Sequence, residues 1–303
     1  MSSPTRIPRE LRTGPFRGSA AVRSGLISNR QLNGRSWRRL CRDVYVFAEI
    51  PDSLQLRVAA VALLLPRGAV VSGTTAAWLH GADIRRRDDP IEVTLPRATP
   101  MRPPTGARVR RAQILAEDIE VIDGLPVTTP MRTGFDLARR VRPHRNATLV
   151  EAVVAVDALT HLGLFTPDRL CEYALRPRFH GWRGVRQAAV VAEHAEPLSE
   201  SPGETRLRLR IVLAGFPRPQ AQVNLFDPHG RHVARLDLAY PERRIAIEYD
   251  GEVHSGRWRE DAARRNRILA LGWKLYSYTA RDLRPGVHTI TSHLRDALGP
   301  PLR

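Results

Sequence analysis

The chain reads as a mixed α/β, α+β type multidomain protein, on three observations. The first fifty residues carry two short helix signals followed by a strongly basic hairpin. The middle alternates strand-like runs with helices opened by Thr-Pro pairs. The last hundred follow the order α, β, β, β, α, β. At 303 residues there is room for more than one core. The expected division is 1–82, 83–197 and 198–303.

The first part begins with a short helix expected over Phe16 to Val22, stopped at Gly25. Ser28 and Gln31 have the spacing of a capping box that opens a second helix at Asn29 to Leu32. Trp37 to Leu40 and Val44 to Phe47 then read as two strands joined by Cys41-Arg42-Asp43. Two short helices and a basic hairpin suggest a winged helix-turn-helix, in which one helix enters the major groove and the hairpin touches phosphates. Arg30, Arg35, Arg38, Arg39 and Arg42 are the candidate DNA contacts. The alternative is an exposed basic face with no particular target.

Apolar helices are expected over Asp52 to Leu65 and Ser72 to His80, with His80 packed rather than ligating. The middle part offers strands at Ile91 to Leu95, Ala107 to Arg111 and Glu120 to Val127. Its helices are expected at Pro130 to Arg140, Ala147 to Thr160, Pro167 to Leu175 and Gly184 to His194. No phosphate-binding glycine loop or serine nucleophile elbow is present.

Charge narrows the class of partner. The formal net charge is +17, and Lys274 is the single lysine. A GC-rich coding sequence exchanges lysine for arginine but does not create excess charge, so the surplus points to a polyanion, nucleic acid before membrane and DNA first among nucleic acids. Cys41 and Cys171 are too few and too far apart for a disulfide framework or a zinc site. The longest apolar run, Val58 to Leu65, is far short of a membrane span, and the start lacks the apolar core of a signal peptide. A cytoplasmic protein is expected.

The last part opens at Ser201-Pro202-Gly203-Glu204 with a helix running to Gly215, its Leu207, Ile211 and Leu213 turned inward. Strands follow at Ala221 to Phe226, Val233 to Tyr240 and Ile245 to Tyr249. A helix from Arg259 to Leu271 stops at Gly272, and Trp273 to Tyr278 closes the pattern. Pro241 to Arg244 is the turn of a hairpin in which Tyr240 pairs with Ile245, Ala239 with Ala246 and Leu238 with Ile247. Asp237 then faces Glu248, and Asp250 follows on the same face. Opposed like charges destabilise a sheet, so this cluster must hold protons, recruit arginine, or bind a hard cation such as Mg²⁺ or Mn²⁺.

That element order, with acids at Glu204, Asp237, Glu248 and Asp250, resembles the restriction-endonuclease-like core of the PD-(D/E)XK nuclease superfamily. Glu-Tyr-Asp-Gly (248–251), His254, Asp261, Arg264 and Gly-Trp (272–273) are similar to its very-short-patch-repair-like branch, domain of unknown function 559. The resemblance implies that Asp237 and Glu248 hold Mg²⁺ and that Glu204 approaches it from the first helix. Asp250 stands where the superfamily has lysine, so a third metal ligand or a general base is implied there, with His254 carrying protons and Arg264 stabilising phosphate. Lys274 on the next strand is a candidate for the missing amine. Plainer roles stand beside these: a capping box for Glu204, a loop position for His254, a surface ion pair for Asp261 and Arg264, and core anchoring for Trp258 and Trp273.

Earlier in the chain, the Trp-Arg-Arg-Leu hairpin, Ser-Gly-Thr-Thr-Ala-Ala-Trp-Leu (72–79) and Gly-Leu-Pro-Val-Thr-Thr-Pro-Met-Arg-Thr (124–133) are similar to AbiEi-type antitoxins. Two functions follow from the resemblances. One is a DNA-binding, metal-dependent endonuclease that hydrolyses phosphodiester bonds. The other is an antitoxin-type regulator that binds operator DNA, with a toxin as a possible protein partner and a nuclease fold kept only as scaffold.

Overall fold

Three sheets organise the described residues of this mixed α/β protein, seen in a computed structural model that describes residues 7–86, 88–141, 146–251 and 258–301. The chain divides into two units, 1–79 with 85–129 and 80–84 with 130–303.

The first unit starts with β1 (Phe16–Arg17), α1 (Gly18–Arg23), α2 (Asn29–Leu32), β2 (Trp37–Cys41) and β3 (Val44–Phe47). The helix expected from Phe16 begins only at Gly18. Phe16 pairs instead with Tyr45 as a sheet edge, its ring 5.0 Å from that of Trp37, because aromatic packing outweighs the weak helix preference of so short a run. The capping box is present in full, Ser28 N–H donating to Gln31 Oε1 (2.7 Å) and Gln31 N–H to Ser28 Oγ (3.2 Å). Cys41 is a buried free thiol whose pKa is raised by that burial; Cys171, in the other unit, is half-buried and also free.

The unit continues through α3 (Leu54–Ala62), β4 (Val70–Val71), α4 (Gly73–Leu79), β5 (Ile91–Leu95), β6 (Ala107–Arg111), β7 (Ile119–Ile122) and β8 (Leu125–Thr128). Its five-stranded sheet runs β6-β5-β4-β8-β7. The single strand expected over Glu120 to Val127 is a hairpin, turned at Asp123 and Gly124 with φ of 50° and 77°. Asp-Gly is the residue pair that two positive φ values favour. Glu92, on β5, is 2% exposed and ties this sheet to α4. Its carboxylate accepts the Thr74 N–H (2.8 Å), and its own N–H donates to Thr75 Oγ1 (2.9 Å). The 72–79 motif is thus a polar anchor for a helix start.

The second unit holds α5 (Pro130–Ala138), α6 (Asn146–His161), α7 (Pro167–Ala174), α8 (Val185–His194) and α9 (Pro202–Val212). Then come β9 (Gln220–Phe226), β10 (His232–Tyr240), β11 (Ile245–Tyr249), α10 (Trp258–Ala270), β12 (Lys274–Tyr278) and α11 (Thr289–Leu298). The sheet order is β12-β11-β10-β9, with β11 and β12 parallel and the other neighbours antiparallel.

One core joins Leu238, Tyr240, Ile245 and Ile247 to Leu207 and Ile211 of α9 and to Ile290 and Leu294 of α11, a helix the sequence pattern did not announce. The other joins Leu236, Ala239 and Ala246 to Ile268 of α10, with Trp273 packed against it. Leu236 and Leu238 therefore lie in different cores, and the expected strict alternation changes face about Asp237. In α9 the buried residues are Gly203, Glu204, Thr205, Leu207, Arg208, Leu209 and Ile211, while Leu213 is only partly covered. Burial of Arg208 follows from Asp157 on α6, whose Oδ2 accepts from Arg208 Nη2 at 2.8 Å.

No helix among the described residues is long and apolar enough to cross a membrane. Glu92→Ala is expected to cost about 1–3 kcal/mol, because it leaves the Thr74 N–H without its acceptor and Arg108 and Arg110 without their carboxylate partner. Urea unfolding measures this; a loss below about 0.5 kcal/mol, the usual size of a surface substitution effect, would contradict the anchor.

Candidate functional site

The acid cluster is built by the hairpin of β10 and β11 and by the helices beside it. The observed pairs Tyr240–Ile245, Ala239–Ala246 and Leu238–Ile247 are those read from the sequence. One step further along, Asp237 Oδ2 accepts the Tyr249 N–H at 2.9 Å. Glu204 enters from the first turn of α9. Gly203 allows this: a Cβ there would lie 2.0 Å from Cε1 of Tyr249, so only a residue without a side chain lets the helix approach β11 so closely.

Glu204 is nearly buried, and its own N–H donates to Ser201 Oγ (3.1 Å) at the helix cap. Its Oε2 accepts from Glu200 N–H (3.0 Å) and Gln222 Nε2 (2.8 Å). Gln222 was not singled out from the sequence. It lies between Ala221 and Val223, which pair with Leu238 and Leu236, so the cross-strand rule places it opposite Asp237. Its φ is 52°, a strained value for a residue with a side chain, and its Oε1 is buried with no hydrogen-bond partner.

Arg264 of α10 completes the cluster. Its Nη2 donates to Glu248 Oε1 (2.6 Å) and to the Arg235 carbonyl (2.9 Å), and its Nη1 donates to Glu248 Oε2 (2.9 Å). The sequence alternative of a surface pair with Asp261 is replaced by this fork, because Arg264 lies one turn before Ile268, which is buried in the core under the sheet. Asp250 is exposed, its N–H bonded to the Tyr278 carbonyl. Lys274 pairs with Ile245 while Glu248 pairs with Ser277. Three strand residues separate the lysine from Glu248, about 10 Å, so it is not the missing amine. His254 falls outside the described residues, as does the Trp258 side chain.

Burial is the main force on Asp237 and lifts its carboxyl to about 6; the charges of Glu204 and Glu248 add to the rise, while the Tyr249 N–H and Arg264 oppose it. Asp250 is also raised, first by partial desolvation and then by Glu248, an effect that water keeps small at an exposed residue. Glu248 raises the pKa of Arg264, chiefly through their hydrogen bonds.

A divalent cation needs several free carboxylate oxygens around one point. Among the described residues no group of three or more His, Cys, Asp or Glu side chains is placed to hold one. Both Glu248 oxygens are engaged by Arg264, and Asp250 turns toward Ser277. With its oxygens engaged in this way, the set Asp237, Glu248 and Asp250 does not fit Mg²⁺ or Mn²⁺.

In the other unit, Arg30 on α2, Arg35 after it, Arg39 on β2 and Arg42 in the β2–β3 turn are exposed. Arg38 is tied down, its Nη2 donating to the Ile50 carbonyl at 2.8 Å, and Arg39 Nε reaches the Cys41 carbonyl at 3.3 Å. Arg30, Arg35 and Arg42 are the freest cations of the five.

Comparison with known proteins bears on the middle of the chain. Residues 68–178 match the AbiEi antitoxin C-terminal domain. The matched stretch contains the whole five-stranded sheet and Asp157, and it ends before α9. Two uncharacterized proteins of Mycobacterium tuberculosis, MT2308 of strain CDC 1551 / Oshkosh and Rv2248 of strain ATCC 25618 / H37Rv, are each 32% identical over 107 residues. The match covers 34% of this chain and 39% of each relative, so the chain spans about two fifths of their length. A crystal structure of the RV2827C protein from the same species is similar at 16% identity and a TM-score of 0.40, over 71% of this chain and 84% of that one. That likeness is too distant to carry an argument.

A raised carboxyl means that the folded state binds its proton more tightly than the unfolded state does. The Asp237 contribution is therefore lost as pH rises from the ordinary 3.8 through about 6. Asp237→Asn is expected to abolish that slope and to be more stable than the native chain by on the order of 2 kcal/mol above pH 6, with little difference near pH 4. Thermal or urea unfolding across pH 4–7 measures it; an unchanged slope in the variant would overturn the assignment.

Proposed function

We propose that the protein is an antitoxin-type transcriptional regulator that binds DNA through its N-terminal helices and hairpin and engages a toxin partner. The observation that carries this reading is the match of residues 68–178 to an antitoxin family domain. The basic residues before it support the DNA half: Ser28 caps α2, the β2–β3 hairpin follows, and Arg30, Arg35 and Arg42 stand exposed on these elements. In this reading 1–82 is a winged helix-turn-helix, 83–197 the antitoxin-like middle, and 198–303 a nuclease-type αβββαβ fold retained as scaffold. Glu248 bonded to Arg264 favours the scaffold role, since a guanidinium fork neutralises a carboxylate without activating water.

One observation sustains the endonuclease as a second reading. Asp237 is a buried acid lifted to about 6 beside Glu204 and Glu248, and such perturbed groups gather at catalytic sites. The intact chain is expected to leave plasmid and mismatched duplex uncut in Mg²⁺ or Mn²⁺. Cleavage that Asp237→Ala abolishes would reverse the order of the two readings.

For the DNA half, affinity for duplex from the promoter of the protein's own gene should fall steeply as salt rises. Replacing Arg30, Arg35 and Arg42 by Ala should reduce the slope of log K against log salt by about 2–3, near 0.9 per lost phosphate contact. Salt-independent binding, or a slope unchanged in the triple variant, would overturn the interface.

A further inference from the structure

A cavity of about 180 Å³ lies between the second half of α6, the start of α9 and the short segment 81–83, all within the second unit. Its walls differ in charge from the rest of the chain. The sequence holds 48 lysines and arginines against 31 acids, yet the charged residues lining this cavity are Asp83, Asp157 and Glu200, with His161 beside them. Val154, Ala158, Leu162 and Pro202 supply an apolar side.

The polar groups of the wall are left mostly as acceptors. Thr205 spends its hydroxyl hydrogen on Asp157 Oδ2 (2.8 Å), so its oxygen can only accept from anything further. His161 Nδ1 lies 3.1 Å from the Pro197 carbonyl, which cannot donate, so Nδ1 carries the hydrogen and Nε2 of the neutral ring is an acceptor. Glu200 gives Oε2 to Arg235 (2.5 Å), which leaves Oε1, and Asp83 is exposed. The start of α9 does not turn the site toward anions: Pro202 has no N–H, and the Glu204 N–H is taken by Ser201 Oγ at 3.1 Å. Ser199 is the residue that points to a ligand. It lines the cavity, is 4% exposed, and its Oγ has no hydrogen-bond partner among the described residues, a costly state for a buried hydroxyl.

We propose that this cavity binds a short primary alkylamine in its ammonium form. An ammonium carries three N–H donors and no acceptor, which matches walls of acids and acceptors. Its head is taken by Ser199 Oγ, Thr205 Oγ1 and His161 Nε2, with Asp83 and Glu200 supplying opposite charge, and its methylene stem lies along Val154, Ala158 and Leu162. Asp157 adds little attraction, because Arg208 already holds it. The volume is well beyond the roughly 10–15 Å³ that one water needs. This site shares α9 with the Asp237 cluster but none of its acids, and it stands whether the protein regulates DNA or cuts it.

The test uses the full chain near neutral pH, with n-butylamine and 1,4-diaminobutane as probes. Both are expected to raise the melting temperature and to bind saturably in calorimetry, with about one molecule per chain. n-Butanol, which lacks the charge, and butyltrimethylammonium, which lacks the N–H donors, should do neither. Ser199→Ala should leave the melting temperature without amine unchanged or slightly higher, since it removes an unsatisfied group, and should weaken amine binding about tenfold. Asp83 is exposed, so Asp83→Asn keeps the site testable if Ser199→Ala fails to fold; it should weaken binding by a similar factor at low salt.

No saturable response to either amine would overturn the proposal, as would equal binding of n-butanol or butyltrimethylammonium, or a response to inorganic phosphate in place of the amines. A folded Ser199→Ala variant that binds amine as the native chain does would overturn it too. None of these results touches the regulator reading, which is tested by duplex binding and by the absence of cleavage.

Discussion

The second unit depends on one buried ion pair. Asp157 on α6 and Arg208 on α9 are 1% and 0% exposed, and they meet at 2.8 Å. The pair is stitched into its surroundings: Asp157 also accepts the Thr205 hydroxyl and the Glu196 N–H, and Arg208 reaches the His194 carbonyl. Desolvation is the largest influence on both partners, raising the pKa of Asp157 and lowering that of Arg208, so mutual attraction does not fully offset burial. Such a pair contributes little net stability over an apolar replacement, but leaving one member alone is costly. Its consequence is connectivity. It joins α6 to α9, the helix that opens the αβββαβ segment, and α9 in turn places Glu204 against the sheet.

The same logic of local compensation governs the acid cluster. Asp237 and Glu248 are adjacent because hydrophobic pairing of Leu238 with Ile247 and of Tyr240 with Ile245 sets the hairpin register. Register leaves no freedom to separate the acids, so the protein supplies donors to them, the Tyr249 N–H to Asp237 and the Arg264 fork to Glu248, while the Gln222 amide serves Glu204. The middle of the chain carries the functional argument by family, and the basic N-terminal elements carry it by charge. The C-terminal sheet contributes a site whose donors are engaged from within the chain.

Much of this was legible in the residues themselves. Ile91–Leu95, Ala107–Arg111 and Ile245–Tyr249 are strands at the expected boundaries, and the Ser28–Gln31 capping box is complete, because each rests on a local period or a paired hydrogen bond. Three features were not legible, for physical reasons. The Asp123–Gly124 turn sat within an apolar run that masked its signal. Helix α11 is short and has no side-chain cap. Arg208 reads as one arginine among many until Asp157, 51 residues away, is brought beside it. At the candidate site, the three acids were found by alternation alone, while the partners of Glu248 and Glu204 came from α10 and β9, whose docking no pattern along the chain encodes.

A double-mutant cycle on Asp157 and Arg208 tests most directly whether their ion pair couples α6 to α9 within the second unit. Asp157→Asn, Arg208→Leu and the pair together, unfolded in urea, should give a coupling energy of about 2–5 kcal/mol, since each single change strands a buried partner. Additivity within about 0.5 kcal/mol would contradict it.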